Sequence, residues 1–186
     1  GVIQLPQTGQ TKCYDSAGIE IVCSGTGQDG DIQAGVPWPT TGNTPSGRFN
    51  DNGDGTITDL LTGLIWLKDA NCFGRRTWQN ALDTVADFNN NPTKYNCQDI
   101  IIQYSDWRLP NVNEIESLMN VNYGNQYYWF FSNGFKNVIW IDNYWTSTTP
   151  SYYANSAVIF NIGYGSMYHT DKNIPWMGQD MPYVWP

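Results

Sequence analysis

Apolar positions along this chain follow two rhythms, and neither lasts long. From Thr77 the spacing is helical: Trp78, Ala81, Leu82, Val85 and Phe88 fall at i, i+3, i+4, i+7 and i+10 and form one stripe. Thr77 is placed to cap this helix, and Pro92, after a run of Asn, stops it. A second helix is predicted from Asn111. There Asn111 and Glu114 approach a capping box, and Val112, Ile115, Leu118 and Met119 supply a buried face. Between the two helices, Ile100-Ile101-Ile102 reads as a short buried run.

Elsewhere the rhythm is the two-residue alternation of strands cut by turns. Asn52-Gly53 and Asp54-Gly55 are hairpin signals, and Thr56-Ile57-Thr58 alternates as a strand does. After the turn at Thr62-Gly63, Leu64-Ile65-Trp66-Leu67 reads as a buried strand. Beyond Tyr123 helical periodicity disappears. Tyr144-Trp145-Thr146-Ser147-Thr148, Ala157-Val158-Ile159-Phe160-Asn161-Ile162, Ser166-Met167-Tyr168 and Tyr183-Val184-Trp185 read as short strands between Gly, Asn, Ser and Pro turns. Residues 1–47 form an extended, turn-rich arm with one hairpin strand, Ile19-Glu20-Ile21-Val22. Strand-rich flanks around two central helices predict an α+β domain over residues 48–186, with the arm before it.

Composition narrows the setting. Charged residues are only 14% of the 186, and the formal net charge is −8. Nucleic acid and anionic membrane surfaces are therefore repelled at long range. No apolar stretch reaches the ~18 residues of a membrane-spanning helix, so no membrane insertion is expected. The first six residues lack a basic and an apolar region, so a signal peptide is expected to be absent or already removed. The four cysteines are widely spaced and none lies in a Cys-x-x-Cys, which suits an oxidising, extracellular or cell-surface location. The favoured pairs are Cys13 with Cys23, closing a hairpin around Asp15-Ser16-Ala17-Gly18, and Cys72 with Cys97. Four buried free thiols are the alternative.

Several word-like segments then come together in order. Arg48-Phe49-Asn50-Asp51-Asn52-Gly53-Asp54-Gly55-Thr56-Ile57-Thr58-Asp59 is followed by Thr62-Gly63-Leu64-Ile65-Trp66, and then by Arg76-Thr77-Trp78 with Ala81-Leu82. Ser105-Asp106-Trp107-Arg108-Leu109-Pro110-Asn111 with Glu114, then Tyr144-Trp145-Thr146-Ser147-Thr148, and finally Tyr183-Val184-Trp185-Pro186 complete the series. The set, running from about Arg48 to Pro186, resembles the collagen-like-protein C-terminal (Lcl C-terminal) domain family. The resemblance implies a C-type-lectin-like fold, with two helices packed on twisted antiparallel strands. It also implies kinship with bacterial surface adhesins that bind glycans and with the variable proteins of diversity-generating retroelements. This chain lacks a collagen-like Gly-x-y tract, and its acidity argues against sulfated polysaccharide.

Three constellations bear on chemistry. Counting from Asn50, side-chain oxygens at Asn50, Asn52 and Asp54 and a Gly at the sixth place reproduce the first half of a calcium loop. Asp59 is a further candidate ligand, and calcium the candidate cofactor. However, Leu61 stands where a bidentate Glu belongs, and the competing reading is a hairpin whose Asn and Asp satisfy turn backbone. For catalysis the chain offers a single histidine, His169, with no Gly-x-Ser-x-Gly elbow, and no enzyme is expected.

The third constellation is aromatic. Trp66, Trp78, Trp107, Trp145 and Trp185 lie on predicted strands or a helix stripe and read as core. Trp38, Trp129, Trp140 and Trp176 fall in loop-like context and are candidate assembly contacts. Residues 123–186 hold 18 of the 28 aromatic side chains but only five charged ones. Such a mixture of rings with Asn, Ser and Gly composes an adaptable binding face. Tyr144, Tyr152, Tyr153, Asn155, Tyr164, Tyr168 and His169 are its candidate contacts, for a glycan or a surface protein ligand. The other expectation is a structural subunit of an extracellular filament or appendage, joined to copies of itself through the arm.

Overall fold

The computed structural model describes residues 5–95, 97, 104–173 and 181–186. The predicted run at Ile100-Ile101-Ile102 and the candidate contact Trp176 lie outside the described residues. The chain is α+β, with three small antiparallel sheets and four helices among the described residues.

The arm begins with a two-residue-deep hairpin, β1 (Cys13–Tyr14) with β2 (Glu20–Ile21), followed by a single helical turn, α1 (Asp29–Ile32). The Asp15 carboxylate accepts from the Ala17 and Ile19 N–H groups at 2.9 Å, which sets the turn. A disulfide joins Cys13 to Cys23 across the base of the hairpin. The arm is not a free extension. Val121 N–H donates to Thr8 O at 3.2 Å, Thr11 N–H to Asn122 Oδ1 at 3.3 Å, and the Trp38 ring lies 5.5 Å from that of Trp129.

The second sheet runs β3 (Phe49–Asp51), β4 (Thr56–Asp59), β5 (Ile65–Leu67), with Asp51 opposite Ile57 and Ile57 opposite Trp66. Its two hairpins are where the Asn-Gly, Asp-Gly and Thr-Gly signals placed them. Gly53, Gly55 and Gly63 all have positive φ, between 74° and 86°.

Both predicted helices form. The first, α2 (Trp78–Asn90), is capped by the Thr77 hydroxyl, which accepts from Asn80 N–H, and Ala81, Val85 and Phe88 are buried. The second, α3 (Val112–Ser117), carries the full capping box. Asn111 Oδ1 accepts from Glu114 N–H at 3.0 Å, and Glu114 Oε2 accepts from Asn111 N–H at 2.7 Å. Cys72 and Cys97 are bonded, with Cα atoms 4.9 Å apart, tying the segment before α2 to the one after it.

One expectation fails here. A further helix, α4 (Gln126–Ser132), lies in the stretch read as free of helix. Its sequence, Gln-Tyr-Tyr-Trp-Phe-Phe-Ser, is mostly rings of middling helix propensity and too short for a clear stripe. The helix is held by Asn125, whose side chain accepts from Tyr127 N–H, and by burial of Gln126, Trp129 and Phe130.

The third sheet is β6 (Asn143–Trp145), β7 (Ser156–Asn161), β8 (Ser166–Asp171). The last residues knit it to the second sheet. Tyr183 exchanges backbone hydrogen bonds with Asn143 and Trp145 at 2.8 and 3.0 Å, while Leu67 N–H donates to Pro186 O at 3.1 Å. One continuous apolar cluster results, with Phe49, Ile57, Phe88, Leu109, Phe130, Trp145 and Trp185 at its centre. Among the described residues no helix is long and apolar enough to cross a membrane.

Candidate functional site

The rings that were candidates for the contact face do not share one surface. Tyr144 is fully buried, its hydroxyl accepting from Ile139 N–H at 2.8 Å, and burial raises its pKa well above that of a free phenol. It is a core residue, corrected from a ligand contact. The alternating pattern of β6 could not tell which face would be covered, because both are: Tyr144 and Trp145, neighbours on opposite faces of the strand, are each fully buried.

Tyr152, Tyr153 and His169 do come together. Tyr153 stacks on the His169 imidazole with centroids 4.4 Å apart and planes 19° from parallel, and Tyr152 meets Tyr153 edge-on at 4.9 Å. Two bonds hold the 152–155 loop against β8. Lys172 N–H donates to Asn155 O, and Lys172 Nζ to Ala154 O, both at 3.0 Å. Tyr152 is 86% exposed. The result is a short ring ladder, braced from below and open above, with Asn155 exposed beside it.

Tyr168 points to the opposite side of β8, because neighbouring strand residues alternate faces. It pairs across the sheet with Ile159, whereas His169 pairs with Val158. Tyr164 sits at the tip of the β7–β8 turn. Asn161 Oδ1 fixes that turn by accepting from Tyr164 N–H at 3.1 Å. A Cβ on Gly163 would stand 2.0 Å from Trp140 O, so the turn tip lies against the segment carrying exposed Trp140 and Ile141. Trp140, a candidate assembly contact, therefore neighbours Tyr164, a candidate ligand contact.

Of the other assembly candidates among the described residues, Trp129 is corrected to a core residue and Trp38 is partly covered. Trp129 is buried in α4 and donates its indole N–H to Leu118 O at 3.0 Å. Trp38 is half-buried, bonded through its indole to Gln7 O at 2.7 Å and covered on one side by Arg48. Both fill the seam between the arm and the domain, where a large ring excludes more water than in a loop.

The half calcium loop is built as a turn. Asn52 Nδ2 donates to the Thr56 and Thr58 hydroxyls at 2.9 and 3.0 Å, and Asn50 donates to Asn52 Oδ1. Asp54 Oδ1 accepts from Thr56 N–H at 3.0 Å. Asp59 faces away, into a buried ion pair with Arg48. The ligand set is corrected to turn-satisfying side chains, because Thr56 takes Asp54, Arg48 takes Asp59, and the Asn50 and Asn52 amides bond one another and the Thr56 and Thr58 hydroxyls. Among the described residues no three His, Cys, Asp or Glu side chains gather as for a metal.

Sequence reasoning missed a cavity of about 310 Å³ bordered by Trp66, Tyr104, Asp106, Trp107, Arg108 and Glu114. Trp66 and Trp107 are core residues, as expected, and both also line this space. The available signal was the run Asp106-Trp107-Arg108, in which charged residues flank a ring in a loop rather than in a strand. Arg108 clasps both oxygens of Glu114, and this holds the Glu114 carboxyl below its usual pKa against the opposing effect of burial.

Fold and surface together define a small disulfide-bonded α+β domain that shows stacked rings at a loop–strand junction. The model of the Lcl C-terminal domain matches residues 55–179, more than half the chain, and the chain belongs to that family. No curated protein and no solved structure matches it.

Proposed function

We propose that this chain is a non-catalytic binding module that works outside the cytoplasm and recognises a glycan or surface protein through the Tyr152–Tyr153–His169 ladder. The observation that carries this reading is the ladder itself. Stacked rings with a braced underside present large contact area at little cost in side-chain entropy. Two disulfides support an oxidising compartment. Membership of the Lcl C-terminal domain family supports a surface-associated role, and a C-type-lectin-like arrangement is part of the same proposal. Glycan-array and cell-binding assays on the wild type and on Tyr152→Ala/Tyr153→Ala test it. Binding is expected to fall at least tenfold in the variant, and binding that persists unchanged rules out this surface.

A second reading, a subunit that joins copies of itself through the arm, is favoured by one observation. Leu5, Ile19, Ile32 and Val22 on the arm are 74%, 63%, 62% and 83% exposed. Light scattering of the full chain at rising concentration separates the two readings, since a monomer at all concentrations leaves only the first.

A further inference from the structure

Around the tip of the β7–β8 hairpin the chain displays large apolar side chains to solvent. Trp140, Ile141, Tyr164, Met167 and Tyr168 are 47%, 67%, 80%, 46% and 57% exposed. Charge does not offset this exposure. Residues 137–168 include only one charged side chain, Asp142, and Arg75 neutralises it at 2.5 Å.

Local bonds hold the display in place. Asn137 takes a left-handed backbone, φ 54°, which Asn tolerates, and Val138 then anchors the segment in the core. Ile139 N–H is held by the Tyr144 hydroxyl at 2.8 Å and Asp142 by Arg75, so Trp140 and Ile141 are carried between two fixed points. Gly163 lets the hairpin tip come close, since a Cβ there would stand 2.0 Å from Trp140 O. The bond from Tyr164 N–H to Asn161 Oδ1 keeps the tip beside that segment. Met167 and Tyr168 follow on opposite faces of β8, which is the outer strand of its sheet.

Exposed apolar surface of this kind marks an interaction site, and charge and area select its partner. With a net charge of −8, two copies repel over most of their surfaces and approach best where charge is absent. The arm is a poorer meeting point, because between residues 5 and 38 Asp15, Glu20, Asp29 and Asp31 are balanced only by Lys12. An uncharged apolar patch is complementary to itself, which is the condition for a two-fold contact. At ~150–250 Å² a ring, the exposed parts of the three rings come to roughly 400 Å². Ile141 and Met167 bring one copy to about 500 Å², so two copies face to face bury ~1,000 Å², the lower bound for a specific interface. Because the tip is already held by its own bonds, little ordering entropy opposes that gain. We propose that the β7–β8 tip is a self-contact through which two copies of the chain pair about a two-fold axis. The contact shares no residue with the Tyr152–Tyr153–His169 ladder or the arm and rests on neither reading.

Sedimentation velocity of the full-length chain from ~1 to ~300 µM provides the test. It compares wild type, the tip variant Ile141→Ser/Tyr164→Ser and the arm variant Ile19→Ser/Val22→Ser. Wild type is expected to rise from the 21.1 kDa of one chain towards twice that mass and to stop there. Half-association at roughly 10–100 µM suits an interface at the bottom of the size range. The tip variant is expected to stay monomeric with an unchanged Tm, since both substituted side chains are exposed. The arm variant is expected to pair as wild type does. Raising salt from ~0.05 to ~0.5 M screens the repulsion between copies and strengthens pairing. The proposal is overturned if wild type remains monomeric, if the tip variant pairs like wild type, if mass grows past two chains, or if salt weakens pairing. Loss of pairing in the arm variant alone also overturns it and leaves the arm reading standing. Wild type that stays monomeric yet binds phosphatidylcholine vesicles assigns the tip to a lipid surface instead.

Discussion

Arg48 and Asp59 close a two-point ion pair, Nε to Oδ1 at 2.9 Å and Nη2 to Oδ2 at 2.7 Å, in which neither side chain reaches solvent. Nη2 also donates to Ser117 O at 2.7 Å, and the guanidinium lies 4.5 Å from the Trp38 ring centroid. One pair thus fastens the arm, the β3–β4 hairpin and the end of α3 together. Removing one partner strands the other as a buried charge. Asp59→Asn is therefore expected to destabilise the protein by about 3–5 kcal/mol in urea unfolding. Arg48→Met/Asp59→Leu should recover most of that loss. Because the Asp59 carboxylate is consumed by Arg48, adding calcium or a chelator should leave the wild-type Tm in place.

Tyr144 and Tyr152 make a matched contrast. Tyr144→Phe leaves the Ile139 N–H without its acceptor and should cost about 1–3 kcal/mol. Tyr152→Ala removes a ring that is 86% exposed and should change stability by no more than about 0.5 kcal/mol. Thermal unfolding of both variants checks the assignment of one ring to the scaffold and the other to the surface. A Tyr152→Ala loss as large as that of Tyr144→Phe would contradict it.

Acid should loosen the segment after α2 before the rest. Asp87 accepts from Lys94, Tyr95 and Asn91, and these bonds hold its carboxyl at a pKa of about 2. The folded value lies below the ordinary one of about 4. The contribution is therefore complete above pH ~4 and is lost as pH falls towards ~2. Glu114, also held low by Arg108, acts in the same direction. Asp87→Asn should flatten the acid limb of a stability–pH curve between pH ~4 and ~2 and leave the neutral region parallel to the wild type.

The two disulfides should fail differently. Cys72 and Cys97 are 25 residues apart and Cys13 and Cys23 only 10, so chain entropy assigns ~3.5 and ~2.7 kcal/mol respectively. Cys72→Ser/Cys97→Ser opens the chain around α2 and should lower the Tm of the whole domain. Cys13→Ser/Cys23→Ser should mainly release the β1–β2 hairpin, read as early cleavage near residues 14–22 in limited proteolysis. Equal loss of Tm in both variants would show that the arm and the domain unfold as one.

The outcomes differ in kind between local and distant causes. Thr77, Asn111 and Glu114 were legible because a cap acts within four residues of itself. The hairpin turns were legible because Gly alone takes positive φ without strain. The cysteine pairs followed from spacing and compartment. Helix α4 was not legible, since its seven residues carry little propensity and it stands on Trp129 and Phe130 buried against distant strands.

The sequence by itself determined the α+β class, the two capped helices, the turn-bounded strands and the words of the Lcl C-terminal domain family. These depend on near neighbours along the chain and on residue type. Only the tertiary structure decided which rings are scaffold and which are surface. Tyr144 and Tyr152 have the same chemistry, and what separates them is whether another strand lies across them. The same holds for Asp59, claimed by an arginine rather than a metal.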